Sequence, residues 1–313
     1  MRHARVALGT LALTGLAAAL AAGDWPGFRG LREGVSDDRG LPERWSATEG
    51  IAWRAAVPGA GWSSPIVSGD RVFVTTATEE GASCRMLAFD RRTGALLWTT
   101  EAFKQEPTLK ESKNSYATPT PVTDGERVYA VFGEGGVAAF SLDGRVLWTN
   151  TEHPFYSQHG LGASPILVDG LVLQPRDGSS DGEDKTLGWQ KPWDRSFLLA
   201  LDARTGRTVY QAKRGLSRIA HVTPTVVTVA GRQQVVSPAG DVVQGFEPAT
   251  GRLLWTARSE GEGVVPSVVR AGDLVVTASG FGDAALRAYR LGGSGDVTAT
   301  HLAWEQKKAV PMI

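Results

Sequence analysis

A short phrase recurs four times in this chain and limits what the chain can fold into. It reads apolar, acid or serine, turn, glycine, apolar, aromatic: LAFDRRTGALLW at 87–98, AAFSLDGRVLW at 138–148, LALDARTGRTVY at 199–210 and QGFEPATGRLLW at 244–255. Self-similarity at intervals of tens of residues marks a repeat architecture, in which each unit is one supersecondary element. In Asp202-Ala203-Arg204-Thr205-Gly206 the short acidic side chain can accept hydrogen bonds from backbone N–H groups of the turn. Gly206 supplies the positive φ that closes a hairpin with a bulge. The terminal aromatic suits a pleated, half-buried surface and is expected to pack between adjacent sheets. The phrase is therefore a turn device and not a catalytic motif.

Each copy is preceded by a proline-containing strand. These begin SSPIVSGDRVFVTT at Ser63, ATPTPVTDGERVYAVFG at Ala117, GASPILVDGLVLQ at Gly162, HVTPTVVTVAGRQQVVS at His221 and VVPSVVRAGDLVVTAS at Val264. A hairpin glycine (Gly69, Gly125, Gly170, Gly231, Gly272) joins two β-forming stretches in each. A third strand runs into the turn and a fourth ends in Trp98, Trp148, Tyr210, Trp255 or Trp304, spaced by 50, 62, 45 and 49 residues. Four short antiparallel strands repeating near this length predict an all-β fold, a β-propeller. The absence of long 3.6-period segments argues against a parallel α/β fold, and a sandwich would not explain the regular punctuation.

The blades are expected at about 63–100, 117–150, 162–214, 221–258 and 264–308. A segment at 22–62 leads into them, and within it IAWRAAV (51–57) resembles a lone fourth strand. The final KKAVPMI resembles the approach to a sixth blade, Val310-Pro311 echoing Val265-Pro266. The expectation is of five blades out of seven or eight, with the natural chain continuing.

Basic and acidic residues balance at 33 each, which leaves no electrostatic footprint for nucleic acid. Arg2, His3 and Arg5 precede an unbroken small and apolar run from Val6 to Ala22 that exits through Ala19-Leu20-Ala21. That pattern predicts a cleaved secretory signal over 1–21, a periplasmic or extracellular protein, and no membrane span after cleavage. Export permits disulfides, yet Cys84 is the one cysteine of the chain, so it is read as a buried small hydrophobe.

In a propeller the loops leading into the innermost strands converge on one mouth of the central channel. Here they carry Trp62, Lys113, Asn114, Tyr116, His159, Arg218, His221 and Glu262. Rings for stacking, with Arg218 or Lys113 for a carboxylate, suit a small polar or planar ligand. The His159, His221 and Glu262 set lacks the spacing that would enforce a metal geometry. The largest insertion, RDGSSDGEDKTLGWQKPWDRS at 176–196, is read as a protruding, solvated acidic loop without the EF-hand pattern. Its Trp189 and Trp193 must pack back on the propeller or meet a partner. No Ser-His-Asp, HExxH or phosphate-loop signature is present, and no catalytic residue is assigned.

DWPGFRGLREGVSDDRGLPERWSATEGIAWRAAVPGAGWSSP, the Asp-x-x-Thr-Gly-x-x-x-Trp turns, GLSRIAHVTP, GDVVQGFEPATGRLLW, GEGVVPS and HLAWEQKK together resemble the pyrroloquinoline quinone (PQQ)-like β-propeller repeat family of secreted bacterial proteins. The resemblance covers nearly all of 24–313. It implies kinship both with quinoprotein alcohol dehydrogenases and with the propeller lipoprotein of the outer-membrane assembly machinery. The dehydrogenases carry a vicinal Cys-Cys disulfide and a calcium ion held by Glu, Asn and Asp beside the quinone. A chain with one cysteine cannot form that disulfide, and no residue set here matches the calcium motif. The expectation is a non-enzymatic scaffold that binds a small polar ligand or an envelope protein. The alternative is a PQQ-dependent dehydrogenase, or a degenerate quinone-binding relative, with PQQ and calcium as cofactors.

Overall fold

The computed structural model describes residues 23–31, 34–261, 264–281 and 283–311. The signal sequence expected over 1–21 lies outside them.

Five antiparallel sheets follow one another along the chain, each with its four strands hydrogen-bonded in sequence order. The first comprises β1 (Ile66–Ser68), β2 (Arg71–Thr78), β3 (Ser83–Asp90) and β4 (Leu96–Lys104). The second comprises β5 (Val122–Thr123), β6 (Arg127–Val131), β7 (Val137–Ser141) and β8 (Val146–Asn150). The third has β9 (Ile166–Val168), β10 (Leu171–Arg176), β11 (Phe197–Asp202) and β12 (Thr208–Lys213). The fourth has β13 (Thr225–Val229), β14 (Arg232–Ala239), β15 (Val242–Phe246) and β16 (Leu253–Arg258). The fifth has β17 (Val269–Ala271), β18 (Leu274–Ser279), β19 (Ala285–Arg290) and β21 (Leu302–Gln306). Between its last two strands, β20 (Gly295–Asp296) pairs in parallel with β16 of the fourth sheet. The all-β propeller architecture read from the repeat is thus what the chain forms.

The hydrophobic cores lie between consecutive sheets. Phe73, Met86 and Cys84 of the first sheet pack with Phe132 and Phe140 of the second. Tyr129 and Val137 of the second meet Val172 and Leu199 of the third. Leu173 and Leu198 of the third meet Val235 and Phe246 of the fourth, and Val236 and Trp255 of the fourth meet Val275 and Tyr289 of the fifth. Strand alternation makes this possible, because residues i and i+1 of one strand serve two different cores.

The repeated phrase explains the stacking. In every sheet the fourth-strand aromatic stands opposite a small residue: Trp98 opposite Ala88, Trp148 opposite Ala139, Tyr210 opposite Ala200, Trp255 opposite Gly245 and Trp304 opposite Ala288. The register slips by one immediately afterwards, which is the expected bulge. Asp90 and Asp202 each accept the backbone N–H of the turn threonine at 2.7 Å, as the turn chemistry requires. The turn glycine has a second role that the local pattern does not disclose: it is the floor on which the preceding sheet's aromatic ring lies. A Cβ on Gly144 would stand 2.6 Å from Trp98, one on Gly206 2.5 Å from Trp148, and one on Gly251 2.5 Å from Tyr210. The polar end of each ring then donates to a carbonyl of the same turn: Trp98 Nε1 to Leu142 at 3.0 Å, Trp148 Nε1 to Ala203 at 3.0 Å, Tyr210 Oη to Pro248 at 2.6 Å. Each of these sheets is stapled to the next by one ring.

The segment expected as a lone fourth strand at 51–57 is not a strand. Among the described residues no strand pairs with it to complete a ladder. Its Trp53 nevertheless acts as a fourth-strand aromatic does. The ring lies on Gly94, 2.5 Å from where a Cβ would be, and Nε1 donates to Arg91 O at 2.9 Å. The fifth sheet has no Asp-x-x-Thr-Gly turn, and there the staple changes. Trp255 folds over Gly245 of its own sheet and donates to Gln234 at 3.0 Å.

A second set of links runs around the channel. The residue before or after each innermost-strand proline is Ser or Thr. Ser64 N donates to Thr120 Oγ1 at 3.0 Å, Thr120 N to Ser164 Oγ at 2.9 Å, Ser164 N to Thr223 Oγ1 at 2.9 Å, and Ser267 Oγ to Thr223 O at 3.0 Å. Proline removes one donor from each strand start, and the neighbouring hydroxyls satisfy the donors that remain. The N-terminal segment enters the channel as well. Trp25 and Val67 exchange both backbone hydrogen bonds at 2.9 Å, and Pro26 O accepts Thr123 N at 2.8 Å. Pro26–Leu31 and the first residues of the inner strands of the second to fourth sheets enclose a cavity of about 430 Å³.

Candidate functional site at the channel mouth

Up-and-down connectivity sends the loops between sheets, and the loops joining second to third strands, to the same end of the channel. The first such loop crosses from β4 to β5. Its backbone is tied to the next loop by Glu111 N donating to Gln158 O at 2.7 Å and by Asn114 Nδ2 donating to His159 O at 2.6 Å. Asn114 Oδ1 accepts Ser115 N at 2.8 Å, so both ends of this amide serve the loops.

Tyr116 is held on all sides. Its ring lies between Gly81 and Gly133, where added Cβ atoms would stand 2.2 and 2.9 Å from ring carbons. Its hydroxyl donates to Thr108 O, and the Lys110 ammonium sits 4.5 Å from the ring centroid. Arg218, expected to be offered to a carboxylate, already grips one: Nε and Nη2 donate to the two oxygens of Asp241 at 2.8 and 2.5 Å. Lys113 is exposed on its loop. Trp62 is 62% exposed, a large apolar ring left in water at the rim. Glu262 lies outside the described residues.

His159 and His221 come together, their ring centroids 5.9 Å apart and edge to face. Trp189 meets the other side of His159 at 6.1 Å, so that tryptophan packs back on the propeller. Trp193 does the same: its backbone exchanges two 3.0 Å bonds with Ser217, and Nε1 donates to Ser196 Oγ at 3.1 Å. His221 is close-packed against Gly162. Enclosure by protein, together with the adjacent His159 ring, pushes its pKa down to about 4. The His221 ring is therefore neutral and packed at ordinary pH.

Two adjoining clefts result. One, of about 500 Å³, runs between Gly59–Ala60, Thr78–Gly81 and Lys110–Tyr116. The other, of about 480 Å³, is lined by Leu109, Lys110, Glu111, Tyr156, Gln158, His159 and Trp189. Glu79 and Glu80 at the edge of the first are in the left-handed region, φ +53° and +57°, a conformation that costs non-glycine residues energy and concentrates at functional sites. Lys110, Tyr156 and Gln158 were not foreseen. They lie close in sequence to the expected residues, and only the pairing of the loops brings them to the surface of the cleft.

The acidic insertion departs from its expected solvation in one respect. Asp181 and Glu183 are exposed, but Asp177 is fully buried against Arg214, with bonds of 2.5 and 3.0 Å. Asp184 caps its own turn through Thr186 and meets Lys191 at 3.1 Å, interactions that hold its pKa down to about 2.

Among the described residues no group of three or more His, Cys, Asp and Glu side chains is arranged to hold a metal ion. Cys84 is buried in the core between the first two sheets.

Five four-stranded sheets around a channel, the first four stapled ring to turn, define a β-propeller repeat protein of the PQQ-like class. The profile of the family described as outer membrane protein assembly factor BamB matches residues 33–178 and 194–310, and the chain belongs to that family. Among solved structures, BamB from Moraxella catarrhalis is similar at 20% identity, with 83% of this chain and 68% of that chain covered and a TM-score of 0.56. The quinohemoprotein alcohol dehydrogenase from Comamonas testosteroni is similar at 12% identity, with 75% and 42% covered and a TM-score of 0.50. A europium-containing methanol dehydrogenase is similar at 12% identity, with 78% and 50% covered and a TM-score of 0.50. At these identities the likeness is one of fold, and the chain spans half or less of the dehydrogenases' length. No curated protein sequence matches the chain. Among the described residues no helix is long and apolar enough to cross a membrane.

Proposed function

We propose that this protein is a non-enzymatic binding scaffold of the bacterial envelope, and that it binds through the mouth formed by the loops between its sheets. The observation that carries this reading is the pair of clefts sharing Lys110, with Trp62 and Leu109 left exposed beside them. Exposed large apolar side chains around a concave, partly polar surface are what a recognition surface presents. Three polar groups at the mouth are engaged within the protein: Arg218 with Asp241, Asn114 with His159 O, Tyr116 with Thr108 O. None is poised as the nucleophile or base that turnover demands. Membership of a family described by an assembly factor supports a protein partner over a small substrate, and supports an envelope location.

The test is site-specific photo-crosslinking in the native envelope. A crosslinking residue replaces Trp62 or Leu109 at the mouth, or Arg92 or Arg204 in the turns at the opposite end. Partner adducts are expected from the mouth positions only. Equal adducts from both ends, or none from the mouth, would overturn the reading. A parallel titration with PQQ, with and without calcium, follows tryptophan fluorescence. Saturable micromolar quenching strengthened by calcium would put the quinone-binding alternative ahead.

A further inference from the structure

The cavity beneath the N-terminal segment shares no lining residue with the mouth clefts. It measures about 430 Å³ and touches the inner strands β5, β9 and β13 in succession, then Ser267 ahead of β17. It is therefore a trough along the channel wall, of a volume that small-molecule sites commonly have. One wall is Val122, Ile166, Leu167 and Val226. Ile166, Leu167 and Val226 pack against the inter-sheet cores yet stay only half-buried, and the rest of their apolar surface lines the trough. The other wall carries Phe28 and Leu31, 39% and 64% exposed. The segment that bears them is anchored ahead of the trough by the Trp25–Val67 pair and by Pro26 O. The Trp25 ring lies on Gly30, 2.7 Å from where a Cβ would be, and Gly30 N donates to Gly27 O at 3.0 Å. Arg29 between them is left-handed, φ +62°, a strained conformation of the kind found at ligand clamps.

Every polar side chain of the lining is engaged within the protein. Thr123 Oγ1 donates to Arg127 O at 2.6 Å, Thr225 Oγ1 to Val268 O at 3.2 Å and Ser267 Oγ to Thr223 O at 3.0 Å. Thr223 Oγ1 accepts Ser164 N at 2.9 Å. Asp124 accepts Arg127 N at 2.6 Å and Tyr129 Oη at 2.8 Å, and Arg29 has a partner of its own. Pro165 and Pro224, which also line the trough, have no N–H to offer. A charged or strongly hydrogen-bonding group placed here would lose its water and gain little in return. An aliphatic chain forfeits nothing and removes apolar wall from water.

We propose that this trough binds the aliphatic chain of a single-chain, uncharged amphiphile. The chain lies along Val122, Ile166, Leu167 and Val226, against Phe28 and Leu31, and the head group stays in water at the rim. The extension of the trough across three inner strands favours a chain over a compact ring, which would leave much of its length unfilled. The engaged state of Asp124 and Arg29 leaves a charged head group without a partner.

Calorimetric titration of the full chain with alkyl glucosides from hexyl to decyl, each below its micelle concentration, tests this. Binding is expected to tighten about fourfold per added methylene and to level off once the trough is filled. A negative heat-capacity change should accompany it, the mark of apolar burial. Decanoate is expected to bind no better than decyl glucoside. In the double variant Phe28→Ser with Leu31→Asp, whose side chains are exposed and whose loss should leave the fold intact, binding is expected to weaken about tenfold or more. Leu216→Asp, at an exposed leucine that does not line the trough, should bind as the wild type does. The chain-length series on the wild type depends on no variant. No binding by any glucoside, an affinity independent of chain length, tighter binding of decanoate, or unchanged binding in the double variant would each overturn the proposal.

Discussion

The turn glycine of the third sheet provides a quantitative test of the ring-on-turn staple. Gly206 has φ +74°, and a Cβ there would stand 2.5 Å from both Cδ2 and Cε3 of Trp148. Gly206→Ala thus carries two penalties. The left-handed backbone costs an alanine about 1–2 kcal/mol, and forcing a methyl into a packed ring costs about 1–3 kcal/mol. Gly170, in the β9–β10 hairpin of the same sheet, separates them. Its φ is +73° and nothing lies within 4 Å of its Cβ position, so Gly170→Ala bears the backbone penalty alone. In urea unfolding the expected losses are about 2–5 kcal/mol for Gly206→Ala and about 1–2 kcal/mol for Gly170→Ala. Removing the ring should release the second penalty. In a double-mutant cycle, Gly206→Ala with Trp148→Ala is expected to be less destabilised than the sum of the singles by about 1–3 kcal/mol. Equal losses at the two glycines together with strict additivity in the cycle would refute the staple. The glycine would then be explained by its turn alone.

Asp177→Asn strands Arg214 as an unpaired buried guanidinium, with an expected loss of about 3–5 kcal/mol by urea titration. Adding Arg214→Met should recover most of it. The depressed pKa of His221 sets a pH dependence. The unfolded chain binds a proton near the ordinary pKa of 6.5 and the native chain only near 4, so stability falls as pH drops from about 6.5 to about 4 and is level above that window. His221→Leu should flatten that slope in midpoints measured across the window. Burial, with the charges of Glu101 and Glu134 beyond it, pushes the Cys84 thiol well above its ordinary value. Cys84 should resist alkylation in the native protein at pH 8 and react fully in denaturant; mass spectrometry reads both states.

Much of the fold was legible because its determinants are local. An acid or serine, a glycine and an aromatic at set offsets dictate a hairpin wherever they occur, and the proline-led strand pairs that precede them mark out one sheet each. The end of the channel that the mouth loops occupy was legible, but their arrangement was not. Trp62, Tyr116, His159 and His221 do reach one end of the channel. Which of the mouth residues is spent on internal contacts depended on partners far away in sequence. Arg218 meets Asp241 across 23 residues and Asn114 meets His159 across 45. The segment at 51–57 resembles a lone fourth strand in sequence, but a strand needs a neighbour on its edge, and among the described residues none pairs with it.

The sequence by itself determined the repeat, the turn chemistry, the β class and the impossibility of an internal disulfide, since each depends on residues close together in the chain or on a simple count. Tertiary structure alone decided that a turn glycine is also the bed for the previous sheet's ring. It also decided that the Ser/Thr residues beside the prolines join into links around the channel, and that Asp177 pairs with Arg214 while the adjacent Arg176 donates to Gly135 O. The reason is geometric: a strand exposes alternate residues to two different neighbours, and which neighbours those are is set by the stacking of whole sheets.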